Sequence, residues 1–533
     1  MKKLLTLFFL FPLAAMAWTG QVVQSFNTPG KYPSGITFDG QHLWVADFRT
    51  DKIYEMNEKG EVLRSIPSPA YWPMGLAFDG KYLWCADAKG MIPQGDEYHN
   101  GRIFKIDPKD GTILKTIFAP TPAPLGLTWD GKYLWCVDDI HNRLIQFDPQ
   151  DGTTIRSFPS PDLHPQGVTF DGKYLWVTDR MKNEIYMIDP QRGSVVLITK
   201  TPGEASADIA WDGKHLWNVD FQDMKVYELK AMDNQEYIRY NPYKAEIKYY
   251  FNVDNFGPGK IKKMDVYFAL PENRPNQQIT SKFQYAPAIE NVVTDQWGQK
   301  TAHFVIKNLK PGEQRQMTCH FSVNTWEVRY FIDPDRVGTE KEIPEEVKNK
   351  YLQDNTKFQI HNPIITEAVK KAVGNDQSLY WKMRDIFNYV IKHMYYLRTG
   401  GWNEAPTVLA RGNGSCSEYS FVFISMCRSA GIPARYVGSI VKRGHKRAID
   451  DVFHRWIEVY LPHYGWVPVD PTHGDRKLPR DQANGIGYLP NSAIITTQSG
   501  GASTTMGWTY NFNARYSSDA KTNVAIDYYG EWQ

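Results

Sequence analysis

Between residues 35 and 221 one pattern of apolar and polar positions recurs five times: GITFDGQHLWVADF from Gly35, GLAFDGKYLWCADA from Gly75, GLTWDGKYLWCVDD from Gly126, GVTFDGKYLWVTDR from Gly167 and DIAWDGKHLWNVDF from Asp208. Each copy reads as two short strands of β-branched and aromatic residues joined at an Asp-Gly turn. A third strand follows (KIYEMN, RIFKID, RLIQFD, EIYMID), then a fourth (EVLRSI, TILKTI, TTIRSF, SVVLIT). The tryptophans Trp44, Trp84, Trp135, Trp176 and Trp217 are spaced 40, 51, 41 and 41 residues apart, a period that predicts four-stranded propeller blades. The fifth copy stops after its third strand, KVYELK, while GQVVQSFNTP near the start of the chain reads like the missing fourth. The expectation is a five-bladed β-propeller over residues 18–232, with the N-terminal strand closing the last blade and removing its exposed edge. A sixth blade stays open if the downstream segment supplies one.

From about residue 235 the pattern becomes alternating apolar strands broken by Gly, Pro and Asn turns, as in AEIKYYFNVDNFGPGKIKKMDVYFALPE and FQYAPAIENVVTDQWGQKTAHFVIKNLKPGEQRQMTCHFSV. This predicts an immunoglobulin-like β-sandwich over 233–335. Past Pro344 the period is helical: EVKNKYLQ, ITEAVKKAV and SLYWKMRDIFNYVIKHMYYL, the last with an apolar stripe from Trp381 to Ile391 that reads as core. A third domain is therefore expected over 336–533.

Chemistry concentrates in that third domain. In RGNGSCSEYS, residues 411–420, Gly412, Asn413 and Gly414 make a turn, and Ser415 with Glu418 fits a capping box at the head of an apolar helix that ends at Gly431 and Pro433. Cys416 then occupies the first helical turn, where the helix dipole and free N–H groups stabilise a thiolate. Cys427 cannot be its disulfide partner, because eleven residues of helix rise about 16 Å. DVFHRWIEVYLPHYGWVPVDPTHGD reads as two strands about a turn near Leu461 to Gly465, which sets Asp470 within a couple of residues of His454 across the hairpin. Cys416, His454 and Asp470 thus form a candidate nucleophile, base and orienting carboxylate. His445, His463 and His473 compete for the base, but only His454 lies in the motif. Trp402 and Tyr419 are candidates for an oxyanion donor beside the Cys416 N–H.

GSCSEYSFVFISMCRSAGIPARYVGSIV followed by HRWIEVYLPHYGWVPVDPT resembles the transglutaminase-like superfamily core over about residues 340–515. The resemblance implies a papain-like α+β core with Cys416 as nucleophile, His454 as base and Asp470 as its partner, acting on amide carbonyls through a thioester. The preceding sandwich looks like the domain that often accompanies this core in bacterial proteins. The repeats of the first two fifths resemble NHL-like and YVTN-like propeller units, which indicate fold more than activity.

Composition narrows the partners. The start, MKKLLTLFFLFPLAAMAW, has the charged head, apolar stretch and Ala-x-Ala site of a signal peptide over 1–17, so a periplasmic or secreted product is expected. Without Lys2 and Lys3, basic and acidic residues balance at 59 each, which favours neither nucleic acid nor an acidic membrane. No later run is apolar enough to span a bilayer. Five cysteines in three regions make no disulfide framework; Cys85, Cys136, Cys319 and Cys427 read as buried thiols. The repeated Asp47, Asp87, Asp138, Asp179 and Asp220 read as turn caps rather than cation ligands. No EF-hand loop appears, and no metal or cofactor is expected. The insertion KGMIPQGDEYHNG lengthens one loop of the second repeat and is a candidate partner site, and KRGHKR (442–447) reads as a solvated loop. The expected function is a thiol amidohydrolase or peptidase acting on a protein or peptide substrate that the propeller positions. A protein-glutamine transamidase is the alternative, and a non-enzymatic binding module with a degenerate core the third reading.

Overall fold

A computed structural model describes residues 18–88, 101–232, 235–398, 401–444 and 447–533. The expected signal peptide, most of the second-repeat insertion, and His445 with Lys446 of the basic loop lie outside the described residues. The chain divides into two compact units, 1–235 and 236–533.

The first unit holds five four-stranded antiparallel sheets among its described residues. Their first strands, Pro33–Phe38, Pro73–Phe78, Pro124–Trp129, Pro165–Phe170 and Ser206–Trp211, each touch the next, and the fifth touches the first. Four sheets are sequential hairpins; the fifth is completed by Val22–Asn27 pairing antiparallel with Lys225–Lys230. The arrangement is propeller-like and its ring closes through the N-terminal strand, as the truncated fifth copy implied.

The repeated motif explains itself chemically. In every copy the Asp before the turn glycine accepts two backbone N–H bonds with Oδ1 and the indole N–H of the following tryptophan with Oδ2, at 2.7–2.9 Å for Asp39–Trp44 through Asp212–Trp217. The glycine follows at positive φ, +91° to +99°, where a side chain is disfavoured. The second repeated Asp caps the loop after its strand, as when Asp47 accepts from Tyr32, Arg49 and Thr50 and Asp220 from Ala205, Gln222 and Asp223. Inner strands approach so closely that a Cβ on Gly35 would lie 2.0 Å from the Met74 carbonyl oxygen. The fifth copy departs from glycine at that position: Asp208 is fully buried and its Oδ2 accepts the Ile36 N–H at 2.9 Å, tying the last sheet to the first.

In the second unit two sheets face each other. β1 (Tyr237–Pro258), β2 (Ile261–Ala269), β3 (Lys300–Leu309) and β4 (Gln314–Tyr330) come from the expected sandwich region. They are joined by two strands from the far end of the chain. β9 (Phe512–Ser518) pairs with β2, and β10 (Thr522–Trp532) pairs with β1 along almost its whole length. The boundary expected at residue 335 therefore does not close the sandwich, because residues 512–532 belong to it. Period-two burial places Ile247, Tyr249, Phe251 and Val253 of β1 in one core with Phe268, Phe304, Cys319, Phe321 and Phe512.

Between β4 and β9 lie α1 (Glu345–Tyr351), α2 (Pro363–Val373), α3 (Leu379–His393), α4 (Ala405–Arg411) and α5 (Cys416–Ser429). After them comes a four-stranded sheet in the order β7–β6–β5–β8, built from β5 (Ala434–Val441), β6 (His454–Leu461), β7 (Gly465–Val469) and β8 (Ala493–Ser499). The α3 stripe is core as expected, with Trp381, Met383, Ile386, Phe387 and Val390 buried and Ile391 half-buried. α5 is buried along nearly its whole length and packs on β6, which brings its first residue beside the first residue of that strand.

Candidate active site

Cys416 is the first residue of α5 behind the N-cap Ser415, and Glu418 accepts the Ser415 N–H at 3.1 Å, the return half of a capping box. The fully buried Glu418 carboxylate also takes Arg411 Nη2 at 3.1 Å and Asn403 Nδ2 at 3.0 Å, so the charge that would oppose a thiolate in the same helical turn is offset. His454 opens β6. The hairpin register pairs Ile457 with Val469, and the next residue, Asp470, turns back so that its Oδ2 meets His454 Nε2 at 2.7 Å. Asp470 Oδ1 accepts from Thr472 N, Thr472 Oγ1 and His473 N while capping a short helix, Pro471–Gly474. Both carboxylate oxygens are engaged, and the group is fixed. With Nε2 taken, Nδ1 is the nitrogen left for the sulfur.

Electrostatics follow from those contacts. Burial pushes the Cys416 thiol up, but hydrogen bonds from the His454 side chain and the Arg455 backbone N–H, with the positive charge of both residues, outweigh it and hold the thiol below its ordinary value. Burial likewise disfavours the His454 cation, yet Asp470 and Cys416 carry it up to about 10. Asp470, also penalised by burial, is pulled down to about 2 by His454 and Thr472. The state these shifts favour is a thiolate beside an imidazolium. The other described cysteines behave oppositely: Cys85, Cys136, Cys319 and Cys427 are buried and free, and burial raises every one of their thiols.

Two neighbours of the thiol escaped the sequence reading. Arg455 is fully buried, with its guanidinium 4.3 Å from the ring centroids of Tyr436 and Tyr510 and 5.2 Å from those of Trp402 and Phe421. Nη2 donates to the Trp508 carbonyl at 2.6 Å, while Nε and Nη1 have no hydrogen-bond partner among the described residues. It occupies the free position of His-x-Trp, so the only signal was a charge where the strand pattern faces inward. Tyr510 flanks both Arg455 and Cys416 but comes from a stretch without a motif. Of the two proposed donors, Tyr419 gives its hydroxyl to Asp475 at 3.0 Å, whereas Trp402 is 39% exposed and stacks near Tyr510. His463 bonds Arg336 and Glu342, and His473 packs on Tyr488; neither replaces His454. In the basic loop, Lys442, Arg443 and Arg447 are tied to Tyr243, Asp450 and Glu531. Among the described residues one trio, Asp39, His42 and Glu55, has ligand atoms close enough for a metal, but these side chains already engage Trp44, Arg64 and one another.

Residues 366–471, which contain all three candidate residues, match the model of the transglutaminase-like superfamily. This segment is a transglutaminase-like domain. Its relatives include the uncharacterized protein YebA of Bacillus subtilis, 38% identical over 71 residues, 11% of this chain and 10% of that protein. A protein-glutamine gamma-glutamyltransferase of Pseudomonas aeruginosa is 27% identical over 118 residues, 20% of this chain and 18% of that protein. The chain thus matches only a small part of either relative's length. A candidate cysteine protease structure from Cytophaga hutchinsonii aligns over 56% of this chain and all of its own, with 16% identity and a TM-score of 0.39. In the transglutaminase-like domain the match and the site geometry fall on the same helix start and hairpin.

Proposed function

We propose that the chain is a thiol enzyme that cleaves amide or peptide bonds through Cys416, His454 and Asp470. The observation that carries this reading is the fixed line from the first residue of α5, through the His454 ring, to a carboxylate with both oxygens engaged. In the forward step the Cys416 thiolate attacks the carbonyl carbon, the C–N bond breaks, and the His454 imidazolium gives its proton to the departing amine. Water then attacks the thioester, His454 takes a proton from it, and thiolate and acid separate. The Cys416 N–H is the first oxyanion donor, and of the two side chains Trp402 is preferred for the second because the Tyr419 hydroxyl already donates to Asp475.

Hydrolysis is the favoured outcome; transamidation, in which an amine replaces water, is supported by the named activity of the Pseudomonas relative. We take the first unit as a five-bladed propeller that positions the substrate, and residues 1–17 as an export signal. Among the described residues no helix is long and apolar enough to cross a membrane. Incubating the chain with a glutamine-bearing protein and a labelled amine separates the outcomes: ammonia or new peptide ends without label mean hydrolysis, and incorporated label means transamidation. If Cys416→Ala leaves both unchanged, the enzymatic reading fails.

A further inference from the structure

The five copies of the repeat act as one another's controls, because each supplies the same positions to one ring. Most positions hold constant: the Pro that opens the first strand in four copies, the turn Asp-Gly, the tryptophan and the second Asp. The residue just after that second Asp does not, reading Phe48, Ala88, Asp139, Arg180 and Phe221. Nor does the second residue of each first strand, reading Ser34, Met74, Leu125, Gln166 and Ala207. All ten line a single cavity of about 320 Å³ at one end of the ring. A scaffold that repeats its turns and core while changing the side chains at most positions lining one cavity is built to shape that cavity.

The variation is also sorted. Following the ring, the fifth, first and second copies contribute Phe221, Phe48 and Met74, with Trp72 beside them, as an apolar arc. The third and fourth contribute Asp139, Gln166 and Arg180, with Leu125 the one apolar side chain among them. Asp139 Oδ1 is buried without a hydrogen-bond partner among the described residues, a costly state for a carboxylate unless a ligand supplies the donor. Tyr32, Trp72 and Phe221, 37–42% exposed, leave ring faces open at this end, whereas the opposite end carries the Asp-Gly turns followed by Gln41, Lys81, Lys132, Lys173 and Lys214.

We propose that this cavity is a binding site for a peptide residue with an aromatic or large aliphatic side chain. The side chain lies against Phe48, Trp72 and Phe221, an N–H or ammonium group meets Asp139, and a carbonyl or carboxylate meets Arg180. A volume near the lower end of ligand pockets suits one residue and its flanking backbone rather than a folded partner. The choice of a peptide over other amphipathic molecules rests on the proposed amide chemistry; the cavity itself does not.

The test is a titration of the full chain carrying Cys416→Ala with the tripeptide Gly-Phe-Gly, followed by tryptophan fluorescence and calorimetry. Saturable binding that weakens about tenfold or more in Asp139→Asn and in Phe221→Ala, with unchanged thermal unfolding, supports the site. Binding indifferent to both substitutions, or no saturation up to about 10 mM, overturns it. If 2-phenylethanol binds as tightly as the peptide through the same residues, the peptide assignment is overturned. Because the tested chain lacks the thiol, the result is independent of turnover: an inert Cys416 with intact peptide binding removes the enzymatic reading and supports this one.

Discussion

At the scale of single residues, the site is governed by how charge is held against burial. The depressed Cys416 and the raised His454, at about 10, bound a window in which thiolate and imidazolium coexist. Thiolate is lost as pH falls through the Cys416 value, and the imidazolium is lost as pH rises through about 10. Iodoacetamide should therefore alkylate Cys416 with a pH midpoint below the value of about 8.5 for an ordinary thiol, and His454→Ala should move that midpoint upward. The same substitution should lower turnover by about two to four orders of magnitude. Asp470 shifts the other way: its folded value near 2 lies below the unfolded value of about 3.9, so its contribution to stability is present above pH 4 and lost as pH falls toward 2. Acid unfolding of Asp470→Asn should lack that component. Arg455, a guanidinium set among aromatic rings with no ion-pair partner among the described residues, adds positive potential near the sulfur. Arg455→Met should raise the pH midpoint of Cys416 alkylation and Arg455→Lys should restore part of it; an unchanged midpoint in Arg455→Met would show that the cation serves packing alone.

Among elements, what could be read from sequence was what repeats or what obeys a local rule. The five copies exposed the strands, the turn aspartates and the borrowed fourth strand, because hairpin chemistry is short-range. For the same reason the capping box put Cys416 at a helix start and the hairpin register put Asp470 beside His454, whereas the joining of Cys416 to that pair rested on the family resemblance. Arg455 and Tyr510 could not be placed, since their meeting depends on how strands from distant parts of the chain stack on α5. Asp208 was visible only as one deviation from glycine, and its bond to Ile36 arises from ring closure. The clamps predict their own cost: Asp130→Ala removes the acceptor for Lys132, Tyr133 and the Trp135 indole and should destabilise by about 1–3 kcal/mol, measured as a lower melting temperature in calorimetry. Asp208→Ala should do the same by stranding the Ile36 N–H.

At the scale of the whole molecule, the boundary between the sandwich and the layers that carry Cys416 and His454 was the feature least accessible to sequence. β9 and β10 alternate like any sandwich strand, but nothing local says which sheet they join, and pairing across some 270 residues is decided by the shared core around Tyr249, Phe268 and Phe512. The layers carrying Cys416 and His454 consequently sit inside the sandwich in chain order, bracketed by β4 and β9. One cut cannot separate them. A chain nicked at the exposed Gly374–Asn375 turn should stay a single species on gel filtration and split only in denaturant, because each fragment carries strands the other needs. Recombination with relatives meets the same constraint: a graft that exchanges residues 237–532 as one block keeps its strand partners, whereas a single crossover near residue 335 mixes two parents within one sheet.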